Sequence, residues 1–121
     1  MSVNSVQPLK IRTIEFSRSV LRLCKDTKIT IVSRPVIDQL VRSSTSIGAN
    51  YAESQYAVSR ADFRNKIFIA KQEAGETVYW LELLSEFNTD PIVGEVREEA
   101  IHILMTLQKI TKTLMVQNTK N

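Results

Sequence analysis

The residues best equipped for chemistry in this chain are Glu99 and His102, because Glu-x-x-His on a helix is the spacing that builds carboxylate-bridged metal pairs in helical bundles. Glu53, Glu73 and Glu76 would be the further carboxylates of such a site. The count fails: a bridged pair wants two Glu-x-x-His motifs, and His102 is the only histidine. It also projects about 130° from the centre of its helix's apolar seam, beside Glu98 and Lys109, as a surface residue does. No metal and no cofactor are expected. Cys24 has no histidine near it in sequence and reads as a small buried hydrophobe on a helix flank rather than a nucleophile. Gly48, Gly75 and Gly94 are scattered over separate segments and make no phosphate loop, and the Ser and Thr hydroxyls lack a base. Without an acid/base pair the chain reads as a non-enzyme.

Binding is the alternative chemistry. The net charge of +3 is mild, but residues 1–34 carry seven basic groups against Glu15 and Asp26, so attraction to a polyanion should begin there. Arg18, Arg22 and Lys25, with Lys10 and Lys28 nearby, fall on the helix side opposite Leu9, Phe16, Val20 and Leu23. They form a candidate nucleic-acid stripe, whose plain alternative is a solvated helix face. Three or four phosphates' worth of charge binds weakly from one chain, and repetition around an assembly raises avidity without new contacts. Aromatic side chains do not interleave with the stripe, so any recognition would follow shape and charge rather than base sequence.

A second polar constellation lies in residues 42–54, RSSTSIGANYAES. Ser46, Gly48, Ala49 and Ala52 are small enough to admit another backbone, while Arg42, Asn50 and Glu53 offer a polar cluster. Arg42, Ser46 and Glu53 share one helix face with Asn50 at its margin, and an Arg42–Glu53 pair at an interface, or a ligand contact, is one expectation. The other is that Asn50, Ser43 and Ser54 satisfy backbone carbonyls in a tight helix pair. Glu73 and Glu76, near Trp80, are expected to pair with Lys66 or a basic residue of a neighbour.

The elements that must position these groups are helices. Pro8, Pro35 and Pro91 read as helix starts, Ser33 and Asp90 as N-caps, and Ser59 to Asp62 as a capping box. Four segments follow, about 8–27, 34–57, 60–87 and 91–116, with no strand alternation or repeat. Val93, Val96, Ala100, Ile103, Leu107, Ile110 and Leu114 step by three and four along the last. The third has Phe63, Ile67, Ala70, Ala74 and Leu81 as its seam and a surplus in Phe68, Ile69, Tyr79, Trp80, Leu83 and Phe87, which predicts a subunit interface that Ile11, Ile14 and Leu21 can join. By length the 121 residues make one domain, needing no disulfide. The start MSVNSVQP lacks the apolar run of a leader, and Ser43 to Ala52, the longest uncharged stretch, is too short and polar to span a bilayer, so a cytoplasmic protein is expected.

RSSTSIGANYAES, Ser59-Arg-Ala-Asp-Phe63 and AKQEAGETVYWLELL from Ala70 to Leu84 together resemble the bacterial four-helix-bundle family of proteins encoded by intervening sequences within 23S ribosomal RNA genes. The accessory variability proteins of diversity-generating retroelements are its more distant relatives. The likeness runs from about Glu15 to Phe87. It implies an antiparallel up-down-up-down four-helix bundle assembled as a homopentamer with a basic surface. RNA or DNA, and a reverse transcriptase in the retroelement branch, are the partners it implies. Tyr51 departs from the family pattern, which is often aliphatic at that position, and a phenol there needs a partner for its hydroxyl. The expectation is a non-enzymatic accessory protein binding nucleic acid through its first helix. The alternative is a structural or protein-binding ring held by Arg42, Ser46, Asn50, Tyr51, Glu53 and Trp80.

Overall fold

The computed structural model describes residues 7–119, and the opening residues on which the leader reading rests lie outside them. Four helices account for most of the described chain: α1 (Leu9–Lys25), α2 (Ser33–Ser54), α3 (Arg60–Leu84) and α4 (Ile92–Thr119). Among the described residues there is no strand, and no helix is long and apolar enough to cross a membrane. Helix α1 packs on α2 and α4, and α3 packs on the same two; the α2–α3 contact is the most extensive.

Local chemistry explains most of the helix ends. The Pro8 carbonyl accepts from the N–H groups of Ile11 and Arg12 at 3.0 Å each, and Arg22 and Lys25 place positive charge on the last turn of α1, where it meets the negative end of the helix dipole. Ser59 caps α3 as expected, its hydroxyl accepting from the Asp62 N–H at 3.0 Å. Asp90 caps α4 through a 2.9 Å bond from the Ile92 N–H. At α2 the assignment moves. Thr30 Oγ1 accepts from the N–H groups of Val32 and Ser33, while the buried Ser33 hydroxyl donates to the Lys28 carbonyl and accepts from the Thr30 N–H, tying down the link instead of capping the helix.

The other boundaries differ by a turn or less. Gln55 to Ala57 and Ser85 to Phe87 form turns rather than helix, with single turn bonds such as Ala57 N–H to the Ser54 carbonyl. Helix α4 runs on to Thr119.

The core is filled from all four helices by Phe16, Val20, Leu40, Ile47, Ile67, Leu81, Ile103 and Leu107, each nearly or wholly inaccessible. The expected seams hold: Val93 through Leu107 are buried on α4, with Ile110 and Leu114 half-buried. Polar atoms are also drawn inside at the small-residue contacts. Thr77 Oγ1 stands 2.9 Å from Ser43 Oγ and 2.7 Å from the Glu73 carbonyl, so buried hydroxyls of α2 and α3 satisfy one another inside the contact. The α3 surplus is covered more than its composition predicts: Phe68, Ile69, Trp80, Leu83 and Phe87 are half-buried by their own chain, and Tyr79, packed edge-on against Trp80, stands mostly clear.

Candidate nucleic-acid face and the polar motif of α2

Helix α1 must bury Phe16, Val20 and Leu23, and this fixes the outward direction of everything opposite them. Lys10, Arg18, Arg22 and Lys25 are exposed along that outer side, and Lys28 is exposed in the link that follows. Arg18 is held by Glu15 at 3.0 Å, an i, i+3 pair open to solvent on both sides. Lys10, Arg22, Lys25 and Lys28 enter no ion pair among the described residues. Ile11, Ile14 and Leu21 share the face at 41–45% exposure, so it is basic and apolar at once.

The motif RSSTSIGANYAES occupies the second half of α2 and looks in two directions. Toward α1 it is bare: a Cβ built on Gly48 would stand 3.0 Å from Thr13 Oγ1, and Ser17 Oγ reaches the Ser44 carbonyl at 3.4 Å. Toward α3 it is charged. Arg42 donates through Nη1 to both carboxylate oxygens of Glu73 at 3.2 Å, through Nη2 to Glu76, and through Nε to Gln39 at 3.0 Å. Trp80 Nε1 donates to the same Glu76 oxygen at 3.0 Å. This indole bond, followed by Arg42, holds the Glu76 carboxyl below the usual carboxylate range, while Glu76 in turn raises the Arg42 guanidinium.

The Arg42–Glu53 pair therefore does not form within the chain. Glu53 lies three turns further along α2 and accepts instead from Lys66 of α3 at 2.7 Å, which raises the Lys66 ammonium. Likewise Glu73 and Glu76 take Arg42, not Lys66. The reason is the direction of the side chains: Arg42 and Glu53 share a helix face, yet each faces a different stretch of α3, and the oppositely charged group there is nearer than the one along its own helix. The reading of the small polar residues as carbonyl partners holds. Ser46 Oγ donates to the Arg42 carbonyl at 2.7 Å, Asn50 Nδ2 to the Ser46 carbonyl at 2.8 Å and Ser54 Oγ to the Tyr51 carbonyl at 2.6 Å. Tyr51 is half-buried and packs against the core.

The groups weighed for catalysis are dispersed. His102 is exposed, with Nδ1 3.9 Å from Glu99. Glu99 turns its other oxygen toward Arg12 at 3.8 Å, and no cluster of three or more metal-ligating side chains forms among the described residues. Cys24 is buried, and desolvation pushes its thiol from 9.0 up to about 11, which keeps it protonated at neutral pH.

The model of the 23S rRNA-intervening sequence proteins matches residues 10–115, nearly the whole described chain. The chain belongs to this family. A solved relative agrees: the chain is similar to a protein of unknown function from the S23 ribosomal protein family of Bacteroides thetaiotaomicron, with 38% identity and a TM-score of 0.77 over 87% of this chain and 99% of that one. No curated protein matches. In this family member, then, the distinctive α2 motif is used for packing α2 between α1 and α3, and the exposed basic groups of α1 stand apart from it.

Reading the residues in sequence missed the Arg12–Glu99 pair and the Thr13–Gly48 contact. Arg12 is one of the seven basic groups of residues 1–34, yet it falls next to Thr13 and close to the apolar seam, and it is 8% exposed. Its position on the helix wheel was the available signal.

Proposed function

We propose that this protein is a non-enzymatic, oligomeric accessory protein that binds nucleic acid through the outer face of α1. The observation that carries the reading is the set of exposed cations Lys10, Arg18, Arg22, Lys25 and Lys28, of which, among the described residues, Arg18 alone is paired with a carboxylate. Phosphate contacts of this kind give affinity without sequence preference, and RNA is the favoured ligand because the family and its S23 relative both carry ribosomal names.

The assembly we propose is a homopentameric ring of antiparallel up-down-up-down bundles, the arrangement implied by likeness to the family. The order of cross-helix contacts supports the antiparallel part: Ser43 meets Thr77 while Glu53, further along α2, meets Lys66, earlier on α3; Thr13 lies by Gly48 while Ser17 lies by Ser44. Five copies of the α1 face on one object would turn weak phosphate contacts into useful avidity. A reverse transcriptase as protein partner belongs to the same reading.

A structural or protein-binding ring is the second reading, favoured by Ile11, Ile14 and Leu21, which lie exposed among the cations. Native mass measurement of the protein recovered from cells separates the two. Nuclease-sensitive extra mass on an oligomer supports the nucleic-acid reading; a stoichiometric protein partner that survives nuclease, with no bound nucleic acid, supports the second and overturns the first.

A further inference from the structure

The outer side of α4 carries an order of charge that the bundle does not use. Glu95, Glu98, His102, Met105, Lys109 and Lys112 follow one another at alternating steps of three and four, the spacing that keeps side chains on one narrow stripe, and all six are exposed. The stripe lies opposite the buried seam of Val96, Ala100, Ile103 and Leu107. None of Glu95, Glu98, Lys109 and Lys112 enters an ion pair among the described residues, whereas Glu82 and Arg97 beside them do. The first half of the stripe is acidic, the second half basic, and Met105, half exposed, lies near the middle.

Read backwards, the stripe is its own complement. We propose that α4 is a two-fold contact at which a second copy of this chain pairs antiparallel, with the axis passing between His102 and Met105. Glu95 then faces the partner subunit's Lys112, Glu98 faces the partner subunit's Lys109, and His102 faces the partner subunit's Met105. Each of these relations occurs twice, as an isologous contact requires. A parallel, in-register pair would set Glu on Glu and Lys on Lys, so the same charges that favour one alignment oppose the other. Helix α4 runs from Ile92 to Thr119, so about that axis two copies overlap over residues 92–115, roughly 36 Å at 1.5 Å per residue, which contains all four charged pairs with about one turn to spare at each end. The flexible Met105 side chain fills the centre, where charge would be costly. The contact joins two chains and does not involve the α1 face.

The test is an exchange of charge. Glu95→Lys with Glu98→Lys makes the stripe wholly basic, and Lys109→Glu with Lys112→Glu makes it wholly acidic; all four sites are exposed, and helicity measured by circular dichroism checks the fold of each variant. Each variant alone is expected to have half the native mass of the wild-type assembly by sedimentation. An equimolar mixture is expected to regain the full mass, because every basic position then faces an acidic one. Met105→Lys, a single change at the centre, is expected to halve the mass too. A wild-type mass equal to that of the variants, which would leave the stripe for an unrelated partner, overturns the proposal. So does a mixture that stays at half mass, or a Met105→Lys protein that keeps the full one.

Discussion

Gly48 on α2 sits so close to Thr13 on α1 that an added Cβ would lie 3.0 Å from the threonine Oγ1 and 3.1 Å from its Cβ. Neither atom is the tip of a long side chain, so Thr13 can yield only by moving α1 itself. Gly75 and Gly94 are also helical, yet a Cβ at either would meet nothing within 4 Å.

The three glycines should therefore respond with opposite signs to the same substitution. Gly75→Ala and Gly94→Ala are expected to stabilise by about 0.5–1 kcal/mol each, the usual gain from replacing a helical glycine. At Gly48 the same gain is outweighed by overpacking, and Gly48→Ala is expected to cost about 1 kcal/mol net. Urea unfolding of the three variants checks this; equal stabilisation in all three would show that the α1–α2 contact is looser than the geometry implies.

Arg42 should be coupled to Glu73 and Glu76 and not to Glu53. A double-mutant cycle of Arg42→Ala with Glu73→Ala is expected to return about 0.5–1 kcal/mol of interaction, kept small by the exposure of the guanidinium. The cycle of Arg42→Ala with Glu53→Ala should return nothing beyond error. A charge-reversing exchange of Arg42 and Glu53 that restored stability would contradict the pairing described above.

The Glu76–Trp80 bond predicts an optical signal, since Trp80 is the only tryptophan. Glu76 has a folded-state pKa below its ordinary value of 4.5, first because of the indole bond and then because of Arg42. Its contribution to stability is therefore present above about 4.5 and is lost as the pH falls through the lower folded value. Acid titration of the folded protein should show a step in Trp80 emission below the usual carboxylate range. Glu76→Gln, which cannot titrate but can still accept from the indole, should abolish the step.

Cys24 carries the opposite sign. Its thiol is raised from 9.0 to about 11 by burial, so the neutral form is favoured in the fold and the associated stability is complete below pH 9 and declines between pH 9 and about 11. The alkaline decline should be shallower in Cys24→Ala. Alkylation at neutral pH should be slow in the native protein and fast in denaturant; rapid modification of the native protein would reveal an accessible thiolate.

Much of the fold is legible in the sequence because periodicity is a one-dimensional trace of burial. The three-and-four spacing from Val93 to Leu107 and the Ser59 cap needed no partner to be understood. The polar motif was harder, since the groups that complete Arg42 and Glu53 lie on α3, at Glu73, Glu76 and Lys66, and only the relative position of two helices selects among them. Gly48 was recognisable as a close-approach residue; that Thr13 is what approaches depends on how α1 is set against α2. The α1 cations were readable because exposure follows directly from being opposite Phe16, Val20 and Leu23.

The most direct test of the nucleic-acid reading is the salt dependence of RNA binding by the wild-type oligomer and by the Arg18→Gln, Arg22→Gln, Lys25→Gln variant at matched oligomeric state. Wild type is expected to bind at low salt with a steep loss of affinity as salt rises, and the variant to bind weakly with a slope reduced by about two for every copy of the α1 face in contact with the strand. Undetectable wild-type binding at low salt, or a slope and affinity unchanged in the variant, would contradict a nucleic-acid role for the α1 face.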